Sequence, residues 1–266
     1  METQKRKIKT AVIILNWNGK DWLEKLLPTV VQYGSDVEII VADNGSTDDS
    51  ISFLSENFPA IRIVNNKENL GFAGGYNKAL NQIHAEYYVL LNSDVEVSGN
   101  WIAPIIDLMD SDKNIAACQP KLLDYNNRDK FEYSGASGGF IDRFGYPFCR
   151  GRIFDCLEED CGQYNDAIEV FWATGACIFL KTEAFWEVGG FDEEFFAHQE
   201  EIDLCWRLKN KGYKIMIEPS SVIYHVGGGT LDAGSPFKTH LNFRNNLKML
   251  FKNLPLPSLF VVIPIR

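Results

Sequence analysis

The first 120 residues of this chain alternate between short apolar runs and helical patterns, and few folds accept that alternation. Residues 8–15 form a β-branched apolar run, followed by helical periodicity over 20–31. The pair of signals recurs three times: a strand at 37–42 with a helix at 46–57 opened by Ser, Thr and Asp capping residues, a strand at 61–64 with a helix at 73–83, and a strand at 87–91 with a helix at 101–109. Strands that read as nearly continuous apolar runs are buried on both faces, and the helices between them supply the crossovers of a parallel sheet. The expected class is therefore α/β, a mostly parallel central sheet with helices on both faces. Such sheets bind ligands at the carboxyl ends of their strands, and Asn16, Asp43 and Asp94 lie at such ends.

Residues 124–168 are polar, glycine-rich and aromatic without a clear period, and read as an irregular insertion of the kind that carries substrate-specific loops. A strand-like run at 170–181 follows, then a helix at 201–211 ended by Gly212 and a final strand at 214–224. With 266 residues, 45% of them hydrophobic, the chain buries one full core. We divide it into a body at 1–236, with a first half at about 8–120 and a second at about 121–236, and a tail at 237–266.

The net charge of −10 argues against a general nucleic-acid binder. The tail differs from the body, carrying Lys238, Arg244, Lys248, Lys252 and Arg266 and no acid, so 21 basic and 36 acidic residues leave −15 for the body. Phe243, Leu247, Leu250, Phe251 and Leu254 follow helical spacing beside the basic stripe Arg244, Lys248 and Lys252. That pattern predicts either a helix docked on the body or a basic amphipathic helix held at an anionic membrane surface. The apolar run 260–265 reads as the opening of a further segment. The first ten residues lack the apolar core of a signal peptide, and no stretch reaches the ~18–20 apolar residues that span a bilayer. The expected location is cytoplasmic, peripheral to the inner membrane. The cysteines at 118, 149, 156, 161, 177 and 205 contain no C-x-x-C pair, fit no standard zinc spacing and are expected as reduced thiols.

Two carboxylate clusters carry the chemistry. Asp94 and Glu96 follow a buried strand at i, i+2, where a hard divalent cation (Mg²⁺ or Mn²⁺) takes a few protein oxygens and completes its shell from phosphates. His225, after the last strand and before Gly227-Gly228-Gly229, adds a nitrogen ligand to the same ion. Glu200, Glu201 and Asp203 open a helix, where the dipole favours their ionised forms. Three acids in four residues exceed what capping needs, and one is expected to act as a general base. Two tempting motifs fail. Asp43-Asn44-Gly45-Ser46-Thr47-Asp48 lacks the glycine and terminal glutamate of a calcium loop, and Gly71-Phe72-Ala73-Gly74-Gly75 is neither a dinucleotide fingerprint nor a Walker loop. The clusters together suggest an enzyme that moves a group off a diphosphate.

These segments, with Ile14-Leu15-Asn16-Trp17-Asn18-Gly19, Val41-Ala42-Asp43-Asn44-Gly45-Ser46-Thr47-Asp48, Asn69 through Asn77, Leu91-Asn92-Ser93-Asp94, Gly189 through Phe196, Glu200 through Cys205, Tyr224-His225 and Arg244-Asn245, occur in one order across residues 8 to about 253. In that order they resemble the family 2 inverting glycosyltransferases of the GT-A fold, particularly the bacterial rhamnosyltransferase-like branch. The resemblance implies that Asp43 contacts the nucleotide base, with Asn16, Asn69, Gly71, Asn77 and Asn92 around the donor. It places Asp94 and Glu96 at the family's D-x-D metal motif, assisted by His225, with Mn²⁺ or Mg²⁺ as cofactor. Glu201 stands where the family usually has the aspartate of an E-D pair. The carboxylate is kept on an arm one methylene longer, and the base lies between Glu201 and Glu200, with Asp203 beside them. Trp172 and Gly175 are expected at the acceptor. The implied reaction moves one sugar from a nucleotide-diphosphate donor (dTDP-rhamnose or a UDP-sugar) to a hydroxyl of a saccharide or lipid-linked acceptor in bacterial cell-surface polysaccharide synthesis. No Q-x-x-R-W motif of processive synthases is present. The competing readings are a non-catalytic nucleotide-sugar-binding protein and a nucleotidyltransferase. The intact Asp94, Glu96 and Glu201 count against the first, and Asn16-Trp17-Asn18-Gly19, where a basic glycine-rich loop would stand, counts against the second.

Overall fold

The computed structural model describes residues 8–227 and 235–265. Gly228 and Gly229, singled out above, lie outside them, as do residues 1–7 and Arg266. The first half follows the expected alternation: β1 (Ile8–Asn16), α1 (Lys20–Tyr33), β2 (Glu38–Asp43), α2 (Ser50–Asn57), β3 (Arg62–Asn65), α3 (Gly71–Leu80) and β4 (Ala85–Asn92). These strands pair in parallel in the order β3–β2–β1–β4. Side chains alternate along β1, so Ala11 and Ile13 join a core with α3, while Val12 and Ile14 join a second core with Leu23, Leu27 and Val30 of α1. A sheet buried on both faces needs apolar residues at every position, which is why its strands read as continuous runs.

The second half departs from the expectation. After β5 (Val95–Val97) and α4 (Ala103–Ser111) comes β6 (Ile115–Asp124), a ten-residue central strand that the reading above lacks. Gln119, Pro120 and Lys121 break its apolar run and hide it. The insertion forms short pairs, β7 (Gly139–Ile141) with β8 (Pro147–Cys149) and β9 (Arg152–Ile153) with β10 (Cys156–Leu157). The run at 170–181 is two strands, β11 (Ile168–Val170) and β12 (Cys177–Lys181), separated by a loop that turns into the functional cleft. β12 lies antiparallel between β4 and β6. Helices α5 (Thr182–Glu187) and α6 (Glu200–Asn210) precede the long β13 (Lys214–His225), parallel to β6 and flanked by antiparallel β5 and β11.

β13 changes register midway. Glu218 pairs with Pro120 but Val222 pairs with Lys121, leaving Pro219, Ser220 and Ser221 without counterparts. Prolines in a sheet are confined to edges and bulges because they give no N–H to the ladder, and here Pro120 and Pro219 meet at the irregularity. Ile215 and Ile217 belong to the core under α3 and α6, whereas Ile223 belongs to the core under α1 and α4.

The C-terminal segment is α7 (Pro236–Asn253) and α8 (Leu256–Val262). α7 is docked: Leu241, Asn245, Asn246, Met249 and Leu250 are buried. Its basic stripe is also committed to the body, since Lys248 pairs with Glu194 at 2.8 Å and Lys252 with Asp192 at 2.6 Å and Asp203 at 3.0 Å. Among the described residues no helix is long and apolar enough to cross a membrane.

Candidate active site

A cavity of about 260 Å³ opens at the carboxyl ends of β1 and β4, the edge that a doubly wound sheet leaves for ligands. Its floor is Leu15, Asn92, Ser93 and Asp94, and one wall is the Thr174–Ala176 loop between β11 and β12. The start of α3 supplies Asn69, Gly71 and Phe72, and the start of α6 supplies Glu200 and Glu201 beyond Phe196, Ala197 and His198. His225 closes one side, and Lys238 of α7 is the one lysine or arginine among the described lining residues.

At the nucleoside side the expected residues separate into lining and supporting groups. Asn69 and Gly71 line the cavity, braced by a buried amide network in which Asn44 Nδ2 donates to Asn69 Oδ1 at 3.1 Å and to the Gly71 carbonyl at 2.9 Å. Gly71 has φ +70°, and a Cβ there would lie 2.4 Å from the Phe196 carbonyl oxygen, so glycine is required both by conformation and by space. Asn16 and Asp43 are fully buried and do not line the cavity. Asp43 accepts from the Gly45 and Ser46 N–H groups and from Asn16 Nδ2, so its carboxylate holds the turn after β2. Asn77 also lies outside the lining, where it donates to the Phe191 carbonyl at 2.8 Å and to Glu193 and ties α3 to the segment before α6.

Asp94 sits in the turn between β4 and β5, and His225 reaches it from the end of β13, Nε2 to Oδ1 at 3.2 Å. Glu96 does not join them. It forms a two-pronged pair with Arg128, at 2.9 Å, outside the lining. The second carboxylate at His225 is Glu132, buried, with Oε1 3.1 Å from Nδ1 in an ion-pair contact without hydrogen-bond alignment. Burial opposes charge on His225, but Glu132 and Asp94 outweigh it and push the imidazole up to about 10, so it holds a proton between two carboxylates. Glu132 carries no motif, and no sequence signal pointed to it.

Glu200 and Glu201 both line the cavity, and Asp203 does not. Asp203 is wholly buried on the far side of α6, accepting from Arg207 Nε at 2.8 Å, Lys252 at 3.0 Å and Asn253 Nδ2 at 2.8 Å. Its role is to join α6 to α7. Burial and the neighbouring Glu201 charge hold the Glu200 carboxyl well above the usual carboxylate range. Burial also raises Glu201, to about 7, against the lowering pull of backbone N–H groups at the helix start. Two adjacent carboxyls whose settings separate their proton affinities are suited to different roles. The segment before them is conformationally costly: Phe196, His198 and Gln199 all have positive φ.

Of the two expected acceptor residues, Gly175 lines the cavity against Phe72. Trp172 is buried beneath Gly139, donates Nε1–H to the Phe140 carbonyl at 2.8 Å and supports the insertion instead. Thr174, Ser134 and Trp17 line the cavity without having been expected there.

A ligand-binding α/β protein, with its cleft at the carboxyl ends of a mostly parallel sheet, is what this geometry defines. The chain belongs to glycosyl transferase family 2, whose model matches residues 11–189. It is 24% identical over 233 residues to the N-acetylglucosaminyl-diphospho-decaprenol L-rhamnosyltransferase of Mycobacterium tuberculosis, covering 80% of this chain and 75% of that one. It is 23% identical to a low-salt glycan biosynthesis hexosyltransferase of Haloferax volcanii, covering 88% of this chain and 73% of the relative. The fold is GT-A, like that of GalNAc-T7 solved with UDP, GalNAc and Mn²⁺ (TM-score 0.67, 14% identity, 93% of this chain but 48% of that one). A mannosyltransferase from Pyrobaculum calidifontis solved with GDP-Man and Mn²⁺ matches with TM-score 0.63 at 15% identity, over 97% of this chain and 68% of that one.

Among the described residues no three His, Cys, Asp or Glu side chains converge as a metal site. Asp94 and His225 do meet on the cavity wall; Mn²⁺ entering there would displace the proton that the imidazole holds, and carboxylate oxygen with imidazole nitrogen is then a donor set suited to it when a diphosphate completes the shell. The residues therefore fit a cation held largely by the donor's phosphates.

Proposed function

We propose that this glycosyltransferase is inverting and adds a single sugar from a nucleoside-diphosphate donor, dTDP-rhamnose or a UDP-sugar, to a hydroxyl of a saccharide or lipid-linked acceptor of bacterial cell-surface polysaccharide. The observation that carries this reading is the convergence of Asp94 at a strand end and Glu201 at a helix start in one cavity. The donor's diphosphate lies toward Asp94, His225 and Lys238, and its nucleoside along Asn69, Gly71 and Phe72. Asp94 and His225 would hold a divalent cation, which neutralises charge on the departing diphosphate. Glu201 takes the proton from the acceptor hydroxyl as that oxygen attacks the anomeric carbon. The bond to the diphosphate breaks on the opposite face, so one displacement inverts the anomeric centre. A base near neutrality is matched to that step, and Glu201 meets the condition while Glu200 stays protonated beside it. Lys238 supplies positive charge to phosphates that would otherwise face the Asp94 and Glu201 carboxylates.

The rhamnosyltransferase relative supports the choice of donor and acceptor class. We also place the enzyme in the cytoplasm, peripheral to the inner membrane. With Lys248 and Lys252 paired internally, that contact rests on the exposed apolar faces, Phe243, Leu247 and Phe251 of α7 and Leu256 and Phe260 of α8. Its liposome binding is therefore expected to be weakly salt-sensitive, and loss of binding in moderate salt would refute the apolar contact. Turnover of dTDP-, UDP- and GDP-sugars with Mn²⁺, read by NMR of the product's anomeric carbon, tests the main reading. Retention of configuration, or no turnover of any nucleotide sugar, would overturn it.

A further inference from the structure

We infer that Asn245, on α7 and remote in sequence from every acid of the site, is a positioning residue that clamps the strained segment before α6 and thereby sets the direction in which Glu201 meets the acceptor. The inference rests on the reading of Glu201 as base. Asn245 is fully buried, and its Nδ2 donates to three carbonyl oxygens of that segment, Phe195 at 2.9 Å, Ala197 at 2.8 Å and His198 at 2.7 Å. An amide has only two N–H groups, so three acceptors at these distances share them. Its Oδ1 is held in turn by Arg244, whose Nε and Nη2 donate at 3.0 and 2.9 Å and whose Nη2 also reaches the Glu194 and Phe195 carbonyls. One side chain on α7 therefore reaches three acceptors of the irregular backbone, of which the Phe195 carbonyl also accepts from Ala197 N–H at 2.8 Å.

The segment needs such a clamp. Phe196, His198 and Gln199 have φ of 65°, 70° and 69° without being glycine, and non-glycine residues in that region persist only where their surroundings over-determine them. Two further contacts from α7 act on the same stretch: Gln199 Nε2 donates to the Asn242 carbonyl at 3.0 Å, and Asn246 Nδ2 donates to Gln199 Oε1 at 3.1 Å. Gln199 is the residue from which α6 departs, directly before Glu200 and Glu201. On its other side the Phe196 carbonyl accepts from Phe72 N–H at 2.6 Å, fastening the segment to the donor wall. A helix that the sequence alone leaves between docking on the body and facing a membrane thus carries the brace of the catalytic segment.

The test compares Asn245→Ala and Asn245→Asp with Met249→Ala, which removes a buried apolar side chain from the same helix but none of the hydrogen bonds to the segment. Melting temperature, nucleoside-diphosphate affinity by calorimetry and kcat at saturating donor and acceptor are measured for each. Both Asn245 variants are expected to lose kcat roughly 100-fold, the scale of a misplacement of about 1 Å in a reacting group. Nucleoside-diphosphate affinity should change less than about threefold, because the donor wall keeps its own network. Met249→Ala should be destabilised yet keep kcat in the folded protein. Full kcat in both Asn245 variants, or an equal loss in Met249→Ala, would overturn the inference. Glu201→Gln in the same assay separates the two claims. If it retains full kcat, the base assignment falls. If it is inactive while Asn245→Ala is fully active, the clamp alone falls.

Discussion

Replacing Asp203 by asparagine distinguishes a carboxylate that holds the fold from one that performs chemistry. Asp203 is one residue from the Ile202 that follows the proposed base, yet it points away from the cavity and accepts from Arg207, Lys252 and Asn253. Removing one partner of a buried ion pair typically costs about 3–5 kcal/mol because a charge is left stranded. Here Lys252 keeps Asp192 at 2.6 Å, and Arg207 keeps the Val188 carbonyl at 2.6 Å. Neither cation is stranded, so the cost belongs at the low end, about 3 kcal/mol. For a chain of this size each kcal/mol lowers Tm by about 2–4 °C, giving a drop of roughly 6–12 °C. Thermal denaturation by circular dichroism measures it, and kcat is taken well below the variant's Tm. The expected result is a large loss of stability with kcat within about threefold of the parent. An unchanged Tm with kcat down roughly 100-fold would place Asp203 among the reacting groups and refute the structural role.

Glu201→Gln should leave nucleoside-diphosphate binding intact and lower kcat by roughly 10²–10⁴. In the parent enzyme the base form of Glu201 is lost as pH falls through about 7, so kcat should decline on the acid side with a midpoint near that value, and a flat profile would refute the assignment. Glu200 has the opposite signature in stability. A carboxyl whose proton affinity is raised on folding destabilises the native state increasingly as pH climbs above the usual carboxylate range. Glu200→Gln should therefore raise Tm at pH 8 and give no gain at pH 4, and equal effects at both would show that burial of this carboxyl costs nothing. Lys238→Ala should raise the donor KM about tenfold, a loss of about 1.4 kcal/mol, while Lys238→Arg should keep most of the affinity. Equal KM values for all three would remove Lys238 from the phosphate site.

The parts of this protein that were legible in its sequence are those set by one local rule. β1 to β4 and their helices announce themselves because a twice-covered strand must be apolar throughout and a surface helix must not. Asp94, Asn69, Gly71, Glu200 and Glu201 reach the cavity because strand ends and helix starts are where such a sheet opens its cleft. Residues whose meaning depends on remote partners were not legible. Glu96 differs from Asp94 only in finding Arg128 within reach, and Asp203 differs from Glu201 only in the side of α6 it faces. Asp43 reads as a ligand at a strand end, and the N–H groups of its own turn that it accepts from follow no such rule. Glu132 sits in an aperiodic insertion where no pattern could single it out. α7 was visible as an amphipathic helix, but its pattern left docking and membrane contact open because the acids its lysines meet, at 192, 194 and 203, lie some fifty residues earlier.

The irregularity in β13 decides which face of the sheet receives His225. In an unbroken strand Ile217 and Ile223, six positions apart, would share a side, yet they belong to opposite cores. The odd number of unpaired residues, Pro219 to Ser221, turns the strand over before it pairs with β5. Had the strand run unbroken through those positions, alternation from Ile217 would bring Tyr224, not His225, to the face that meets Asp94. Because alternation has a period of two, the outcome is binary, and no partial shift would leave the histidine half in place. The address of this cavity residue is thus encoded in the irregular stretch where two prolines meet, in the middle of its own strand.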